Sequence, residues 1–435
     1  MNEDPIFALA TGAGRAAVAV LRLSGQGSGA ILGKLAGGLP RPRMASLRQL
    51  RHPDSCEVLD QALVLWFPGP ASYTGEDSAE FHLHGGPAVV AGVAEALVAT
   101  GARPAEAGEF TRRAFLNGKL DLTAAEGIAD LIAAETAGQR RQALRQAGGA
   151  LATLYGGWAG RMTALLARQE AFIEFEDEDL PADLDAAVVE AAAALRSEIA
   201  THLADGGRGE RLREGLTVAI LGAPNAGKSS LLNALVGREA AIVSARAGTT
   251  RDVVEVRLDL GGIPVTLADT AGLRDTLDDI EVEGIRRARQ RAEEADLLLL
   301  VFAADQPLDV DTLAWRRPDA LVVMNKSDLG GPPAGFDGLM VSARSGAGLE
   351  TLRARLEYEA VARAGSTAET LLTRPRHRAA LQEAISWLST LQSAPLPELR
   401  AEALRAALRA LGRITGRVGV EAVLDVVFGE FCIGK

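Results

Sequence analysis

Val218-Ala-Ile-Leu-Gly-Ala-Pro-Asn-Ala-Gly-Lys-Ser-Ser-Leu-Leu-Asn-Ala-Leu235 decides the fold of this chain. Its first four residues form a short apolar, strand-like run. Gly222 to Ser229 then spells G-x-x-x-x-G-K-S, and Leu231 to Leu235 continues as a helix. Strand, glycine loop and helix in that order are the setting in which this pattern holds phosphate. The glycines let backbone N–H groups wrap the oxygens, and the helix N-terminus adds a field favourable to anions. Lys228 reaches the β and γ phosphates, and the Ser229 hydroxyl is placed for Mg²⁺.

The neighbouring motifs fall at strand ends in the expected order. Asp269-Thr-Ala-Gly272 closes the strand-like run Ile263 to Ala268, which puts a carboxylate near the metal and the Gly272 N–H near a γ-phosphate. Asn325-Lys-Ser-Asp328 closes the run Ala320 to Met324. Asp328 can accept from guanine N1–H and the 2-amino group, a pair that adenine lacks. A site built for such bonds rejects the wrong base strongly, because its own groups are left unpaired. Ser342-Ala-Arg344 follows a third run and can support the base O6. Gly248-Thr-Thr-Arg-Asp252 lies where a first switch segment belongs, and Thr249 and Thr250 are both eligible to complete a Mg²⁺ shell. The ordered set resembles that of the GTPase superfamily, so GTP is favoured over ATP.

Hydrolysis needs a group to orient water. Leu273 follows Asp-x-x-Gly, where Ras-like enzymes carry a glutamine, and leucine cannot bond water. The following stretch to Gly284 carries Asp275, Asp278, Asp279, Glu281 and Glu283, any of which can supply the missing group. Arg251 and Arg274 are both candidates for an arginine finger.

Around this core, 435 residues with 48% hydrophobic and 24% charged side chains allow about two or three domains. The net charge of -11 argues against general polyanion binding, which rests on Lys and Arg neutralising phosphates. RNA contact would need a local basic patch or a partner that supplies one. Two cysteines, Cys56 and Cys432, suit a reducing cytoplasm, and the acidic N-terminus is unlike a secretory leader. The strongest apolar run, Leu297 to Ala304, is far short of the roughly 20 residues that span a bilayer and is expected to be a buried strand.

Three textures run along the chain. Residues 1–118 alternate short strands, including Val18 to Leu23 and Ala62 to Phe67, with Gly and Pro turns. From Leu122 the composition turns helical, with Thr123 and Glu126 spaced as a capping box, and continues to about Ala204 apart from the acidic stretch Glu174 to Asp179 and Pro181. Strand–turn–helix units occupy 213–365. Helix returns to the C-terminus, with Leu404, Ala407, Leu408 and Leu411 on one face. The expected fold class is multidomain α/β: a P-loop GTPase domain (213–365), mostly parallel sheet with helices on both faces, inserted in an all-helical domain (119–212 and 366–435), preceded by an α+β N-terminal domain (1–118). Four consecutive domains are the alternative. Insertion is preferred because each helical segment alone is short for an independent core.

Several family-specific blocks are present: Tyr73-Thr-Gly-Glu-Asp77 with His84-Gly-Gly86, Phe115-Leu-Asn-Gly-Lys-Leu-Asp121, and the terminal Phe431-Cys-Ile-Gly-Lys435. With Gly-Thr-Thr-Arg-Asp252 and Asp-Thr-Ala-Gly-Leu-Arg274 they resemble, over essentially the whole length, the MnmE (TrmE) family of bacterial tRNA-modification GTPases. The resemblance implies nucleotide contacts from Asn225, Ala226, Gly227, Lys228, Ser229 and Ser230; from Ser244, Ala245, Arg246, Ala247, Gly248, Thr249 and Thr250; from Asp269, Thr270, Ala271 and Gly272; and from Asn325, Lys326, Ser327, Asp328, Ser342, Ala343 and Arg344. It implies Mg²⁺ on Ser229 and Thr250, K⁺ on Asn225, Ser244, Arg246 and Thr249, and Glu281 as the catalytic group orienting water. A bound K⁺ would take the place of an arginine finger's charge. Arg22, Glu80, Lys119 and Lys435 match positions for a tetrahydrofolate one-carbon donor, 5,10-methylenetetrahydrofolate or its analogue 5-formyltetrahydrofolate. Cys432 matches a residue given a role in the modification chemistry. The implied assembly is a homodimer working with the flavoprotein MnmG (GidA) on the wobble uridine of certain tRNAs, with no membrane. A purely signalling GTPase and a membrane-remodelling GTPase are the competing readings. The second needs a basic amphipathic or lipidated segment, and none is evident in the sequence.

Overall fold

The computed structural model describes residues 4–174, 184–237, 255–269, 290–365, 372–418, 421–429 and 431–434. They form two compact units, one from residues 1–129, 146–161 and 408–435, the other from 130–145 and 162–407.

The first unit is built on strands β1 (Ile6–Leu9), β2 (Ala16–Ser24), β3 (Ser46–Arg51), β4 (Val58–Phe67), β5 (Ser78–Gly85) and β6 (Arg103–Pro104). Their order is β3-β4-β5-β2-β1-β6. All pairs are antiparallel except β1 with β6. The two-residue period of a strand sorts the β2 side chains. Leu21 and Leu23 join Val64, Trp66, Phe81 and Leu83 in a core shared with Ile31, Leu32 and Leu35 of helix Ser28–Ala36 and Val93 and Leu97 of helix Pro87–Ala99. Val18 and Arg22 therefore face the other way, which decides where Arg22 can act.

The chain's end belongs to this same unit. Leu424, Val427, Phe428 and Phe431 pack on Leu122 and Ala125, and Ile433 bridges to Ala107. Gly434 has φ +102°, and a Cβ there would lie 2.4 Å from the Leu9 carbonyl oxygen. Only glycine fits such a backbone at such a contact.

The second unit holds β7 (Leu216–Leu221), β8 (Glu255–Leu260), β9 (Ile263–Asp269), β10 (Leu297–Ala303), β11 (Leu321–Asn325) and β12 (Leu339–Met340), in the order β12-β11-β10-β7-β9-β8. Every pair is parallel except β8 with β9. The expected buried strand is β10, every residue of which is buried, as for a strand covered on both faces. Alternate β10 residues serve two cores. Leu297, Leu299 and Val301 pack with Leu231 and Leu235 of helix Lys228–Val236 and Leu352 and Leu356 of helix Leu349–Ala364. Leu298, Leu300 and Phe302 pack with Leu221, Met324 and Ala292. The carboxyl ends of β7, β10 and β11 consequently open on one rim, the usual place for a ligand in such sheets.

Helical chain on either side of this sheet comes together in the same unit. Helix Leu184–Leu203 lies against helix Pro375–Ser393, and Arg378 joins Asp205 at 2.8 Å and the Leu203 carbonyl at 3.0 Å. The fold is thus a parallel-sheet nucleotide domain inserted into helical chain and preceded by an α+β domain. The capping box at Thr123 and Glu126 is not formed. Helix Leu122–Ala133 is capped instead by Asp121, whose Oδ1 accepts from the N–H groups of Thr123 (2.8 Å) and Ala124 (3.0 Å), while Glu126 is buried. The helix starts two residues sooner than expected, so Thr123 already lies in its first turn and its hydroxyl donates to the Asp121 carboxylate at 2.5 Å. On helix Pro397–Thr415, Leu404, Ala407 and Leu411 are buried as expected and Leu408 is half-buried.

Candidate nucleotide site

The loop after β7 is held tight by contacts that exclude side chains. A Cβ on Gly222 would stand 2.3 Å from the Val301 carbonyl oxygen, and one on Gly227 would stand 2.3 Å from Asn325 Nδ2. Asn225 and Gly227 both take left-handed backbone, φ +62° and +85°. Alternating hands of this kind turn successive N–H groups into one concavity, which suits an anion. Gly227 is also the N-cap of helix Lys228–Val236 and brings no side chain to compete for its first N–H groups. Lys228 is buried, and its Nζ donates to the carbonyls of Gly222 (2.7 Å) and Ala223 (3.0 Å). Ser229 and Ser230 follow in the helix's first turn. Ile220 sits beside Asp269 in the parallel register of β7 and β9, so the backbone of Asp269 reaches the base of the loop.

The residues expected from the sequence to recognise the base gather on the same rim. Asn325 ends β11, is 1% exposed, and joins three segments. Its Nδ2 donates to the Ala226 carbonyl at 3.0 Å, and its Oδ1 accepts from the Ala343 N–H at 3.1 Å. The Ser327 N–H donates to the Val341 carbonyl at 3.0 Å. Ser342, fully buried, donates through Oγ to Asp328 Oδ1 at 2.5 Å and accepts from the Ser345 N–H at 3.1 Å. That hydroxyl, aided by the Asp328 backbone and the charge of Arg344, holds the Asp328 carboxyl below its ordinary value. Asp328 is exposed to solvent and charged, as an acceptor for two base N–H donors must be.

One residue of this rim has no motif to announce it. Asp305, two residues beyond β10, takes Lys326 Nζ at 2.9 and 3.0 Å. Lys326 itself has φ +59°, so the pair fixes a side chain carried on a left-handed turn. An acid just past the neighbouring strand's carboxyl end was the available signal.

The N-terminal candidates meet in the first unit. Arg22 and Glu80 are cross-strand partners on β2 and β5, joined at 3.0 and 3.2 Å. His82 Nε2 lies 3.2 Å from Glu80 Oε2. The Arg22 guanidinium stands 5.7 Å from the Tyr73 ring centre and 5.9 Å from that of Phe110. Lys119 Nζ donates to the Pro70 carbonyl at 2.9 Å, so it borders the same loop that carries Tyr73. Burial, partly offset by Thr111 and Arg22, raises the Tyr73 phenol above its ordinary value. Cys432 is exposed and free, as is Cys56. Ser244 to Thr250, Thr270 to Gly272, Glu281, Lys435 and the Asp269 side chain lie outside the described residues. Among the described residues no helix is long and apolar enough to cross a membrane.

The glycine-walled loop, the buried lysine and the Asn325–Asp328–Ser342 rim define a P-loop GTPase, a GTP hydrolase. Comparison with known proteins narrows this. The family model described as MnmE helical domain matches residues 122–432, and that of the GTP-binding protein TrmE N-terminus matches 5–119. The chain is 59% identical to the tRNA modification GTPase MnmE of Gluconacetobacter diazotrophicus over 100% of its length and 99% of that protein's. It is 55% identical to that of Granulibacter bethesdensis and 56% to that of Paramagnetospirillum magneticum, in each case over 100% of both chains. The chain belongs to the MnmE family of tRNA-modification GTPases.

Proposed function

We propose that this protein couples GTP hydrolysis to the addition of an aminomethyl or carboxymethylaminomethyl group at C5 of the wobble uridine, position 34, of certain tRNAs. A tetrahydrofolate donor, 5,10-methylenetetrahydrofolate, supplies the carbon, and the flavoprotein MnmG (GidA) is the partner of a homodimer of this chain in the cytoplasm. The carrying observation is the end-to-end likeness to tRNA modification GTPases, at 59% identity for the Gluconacetobacter protein. The folded nucleotide rim supports it. Residues 1–118 serve as folate-binding and dimerisation domain, 213–365 as GTPase domain, and 119–212 with 366–435 as the helical domain around it.

In this reading the N–H groups of Asn225 to Ser230 and the Lys228 ammonium grip the phosphates, and Asp328, steadied by Ser342, selects guanine. The Ser229 hydroxyl suits a hard, oxygen-preferring cation. Ser229 and Thr250 would hold Mg²⁺, which when bound neutralises charge on the β and γ oxygens. Asn225, with Ser244, Arg246 and Thr249, would hold K⁺. Glu281 orients the attacking water. Arg22, Glu80, Lys119 and Lys435 bind the folate, where a guanidinium and lysines suit its glutamate carboxylates and a carboxylate suits pterin N–H groups. Cys432 acts in the base chemistry. The net charge of -11 fits a chain whose flavoprotein partner supplies much of the tRNA-binding surface.

Mass analysis of wobble uridines in cells lacking this protein tests the function directly: the modified nucleoside should vanish and return with the gene. Unaltered uridines would overturn the reading. GTP turnover should be markedly faster in K⁺ than in Na⁺. Glu281→Ala should slow turnover while GDP affinity holds, and calorimetric titration should detect 5-formyltetrahydrofolate.

A further inference from the structure

The β8–β9 hairpin is gripped at its tip by the segment Glu135–Gln139, which leads into helix Ala137–Ala147. The hairpin turns through Gly261 and Gly262, at φ +64° and +89°, the two left-handed residues that a two-residue turn of matching twist demands. Gly262 N–H is fixed by Asp259 Oδ1 at 2.7 Å. The Gly262 carbonyl then accepts from Thr136 Oγ1 at 2.6 Å. Gly138 is pressed so close that a Cβ on it would lie 2.2 Å from that same oxygen. Behind the turn, a Cβ on Gly261 would meet Val361 and Glu357 of helix Leu349–Ala364 at 3.0 and 3.1 Å. Two more bonds run from the gripping segment to the sheet. Glu135 takes Arg257 of β8 at 2.6 Å, and Gln139 donates to the Arg213 carbonyl, just before β7, at 2.8 Å.

The hairpin is wedged between two helical elements at one end, and at its other end Asp269 stands in register with Ile220 at the base of the phosphate loop. β9 runs unbroken to Asp269, and β8 begins three residues after Asp252. A seven-residue strand is about 20 Å of stiff, hydrogen-bonded chain, so a shift at the tip is delivered at the far end. We propose that Thr136 and Gly138 are positioning residues for GTP turnover. By holding the hairpin tip they set the axial position of the Asp269 backbone beside the phosphate loop. The proposal rests on the reading that Asp269 serves the Mg²⁺ side of the site.

The test uses the full-length protein. Steady-state GTP turnover, GDP affinity by fluorescent nucleotide and the thermal midpoint are measured for wild type, Thr136→Val, Thr136→Ser and Gly138→Ala. Thr136→Val and Gly138→Ala should each lower kcat by about 3- to 10-fold, the scale of couplings carried through packed elements, with GDP affinity within about twofold of wild type. Thr136→Ser, which keeps the donor, should restore turnover. Amides of residues 263–269 should exchange faster in Thr136→Val. Unchanged kcat in both variants, or a parallel loss of kcat, GDP affinity and thermal midpoint, would overturn the assignment. Asp269→Asn is the separate control. Unaltered turnover in it would overturn the reading of the nucleotide site, and the proposal with it.

Discussion

At the scale of single residues, the rim depends on small numbers of buried polar bonds. In the proposed reading Asp328 selects guanine with a charged, aimed carboxylate, and the Ser342 hydroxyl at 2.5 Å fixes its direction. Asp328→Ala should therefore weaken GTP binding by on the order of 10²–10³-fold, since two guanine donors lose their acceptor. Ser342→Ala should cost less, about 3- to 10-fold, because it loosens the carboxylate without removing it. Fluorescent-nucleotide titration with GDP and ADP separates the cases. A Ser342→Ala effect as large as that of Asp328→Ala would assign Ser342 a contact of its own with the base. Asp305 and Asn325 act a step behind, one pinning Lys326 and the other joining the phosphate loop to the base rim.

At the scale of elements, glycines mark where two segments touch through bare backbone. Gly222 lets the start of the phosphate loop pass the carbonyl of Val301 on β10. Gly222→Ala should push β7 and β10 apart at the rim and destabilise by about 1–3 kcal/mol, the usual cost of overpacking. It should also lose most nucleotide affinity. Denaturation with and without GDP reads both, and a stable variant with normal affinity would contradict the packing argument. Gly434 plays the same part for the C-terminal tail against Leu9. Gly434→Ala should release the tail, leaving GTP turnover near wild type while wobble-uridine modification falls. Turnover and modification falling together would point to general unfolding.

For the whole molecule, acid stability follows from which groups lose protons on folding. Arg400 holds the Asp185 carboxyl below its ordinary 3.8. Burial pushes Glu109 and Asp60 up, but Arg103, the Glu106 N–H and Arg113 outweigh it at Glu109, and the His84 N–H and ring outweigh it at Asp60. Each carboxylate adds stability that is present above the unfolded value and lost as pH falls through the lower native one. His202 obeys the same sign: burial first, then His377 and Arg378, lower it below 6.5 against the pull of Asp205. The unfolded chain takes that proton first, so its contribution is present above pH 6.5 and is lost on acidification. The thermal midpoint should decline in two stages, one starting near pH 6.5 and one below about pH 4.5. His202→Gln should remove the first stage alone. A midpoint flat from pH 7 to 5 in wild type would contradict it.

The sequence by itself determined the nucleotide domain, because its chemistry is local. A strand end, a glycine loop and a helix start are contiguous from Val218 to Leu235, and the motifs at 269, 325 and 342 each follow a strand of their own. The apolar runs at 297–303 and 18–23 were legible for a like reason: a short continuous apolar stretch reads as a strand. Only the tertiary structure decided which distant segments meet. It paired Arg22 with Glu80 across two strands and placed Asp305 against Lys326. It brought residues 431–434 to the N-terminal sheet and Thr136 to the tip of a hairpin more than a hundred residues away. Such contacts leave no local periodicity, since their free energy comes from closing long loops and burying both partners together, and a linear pattern registers neither.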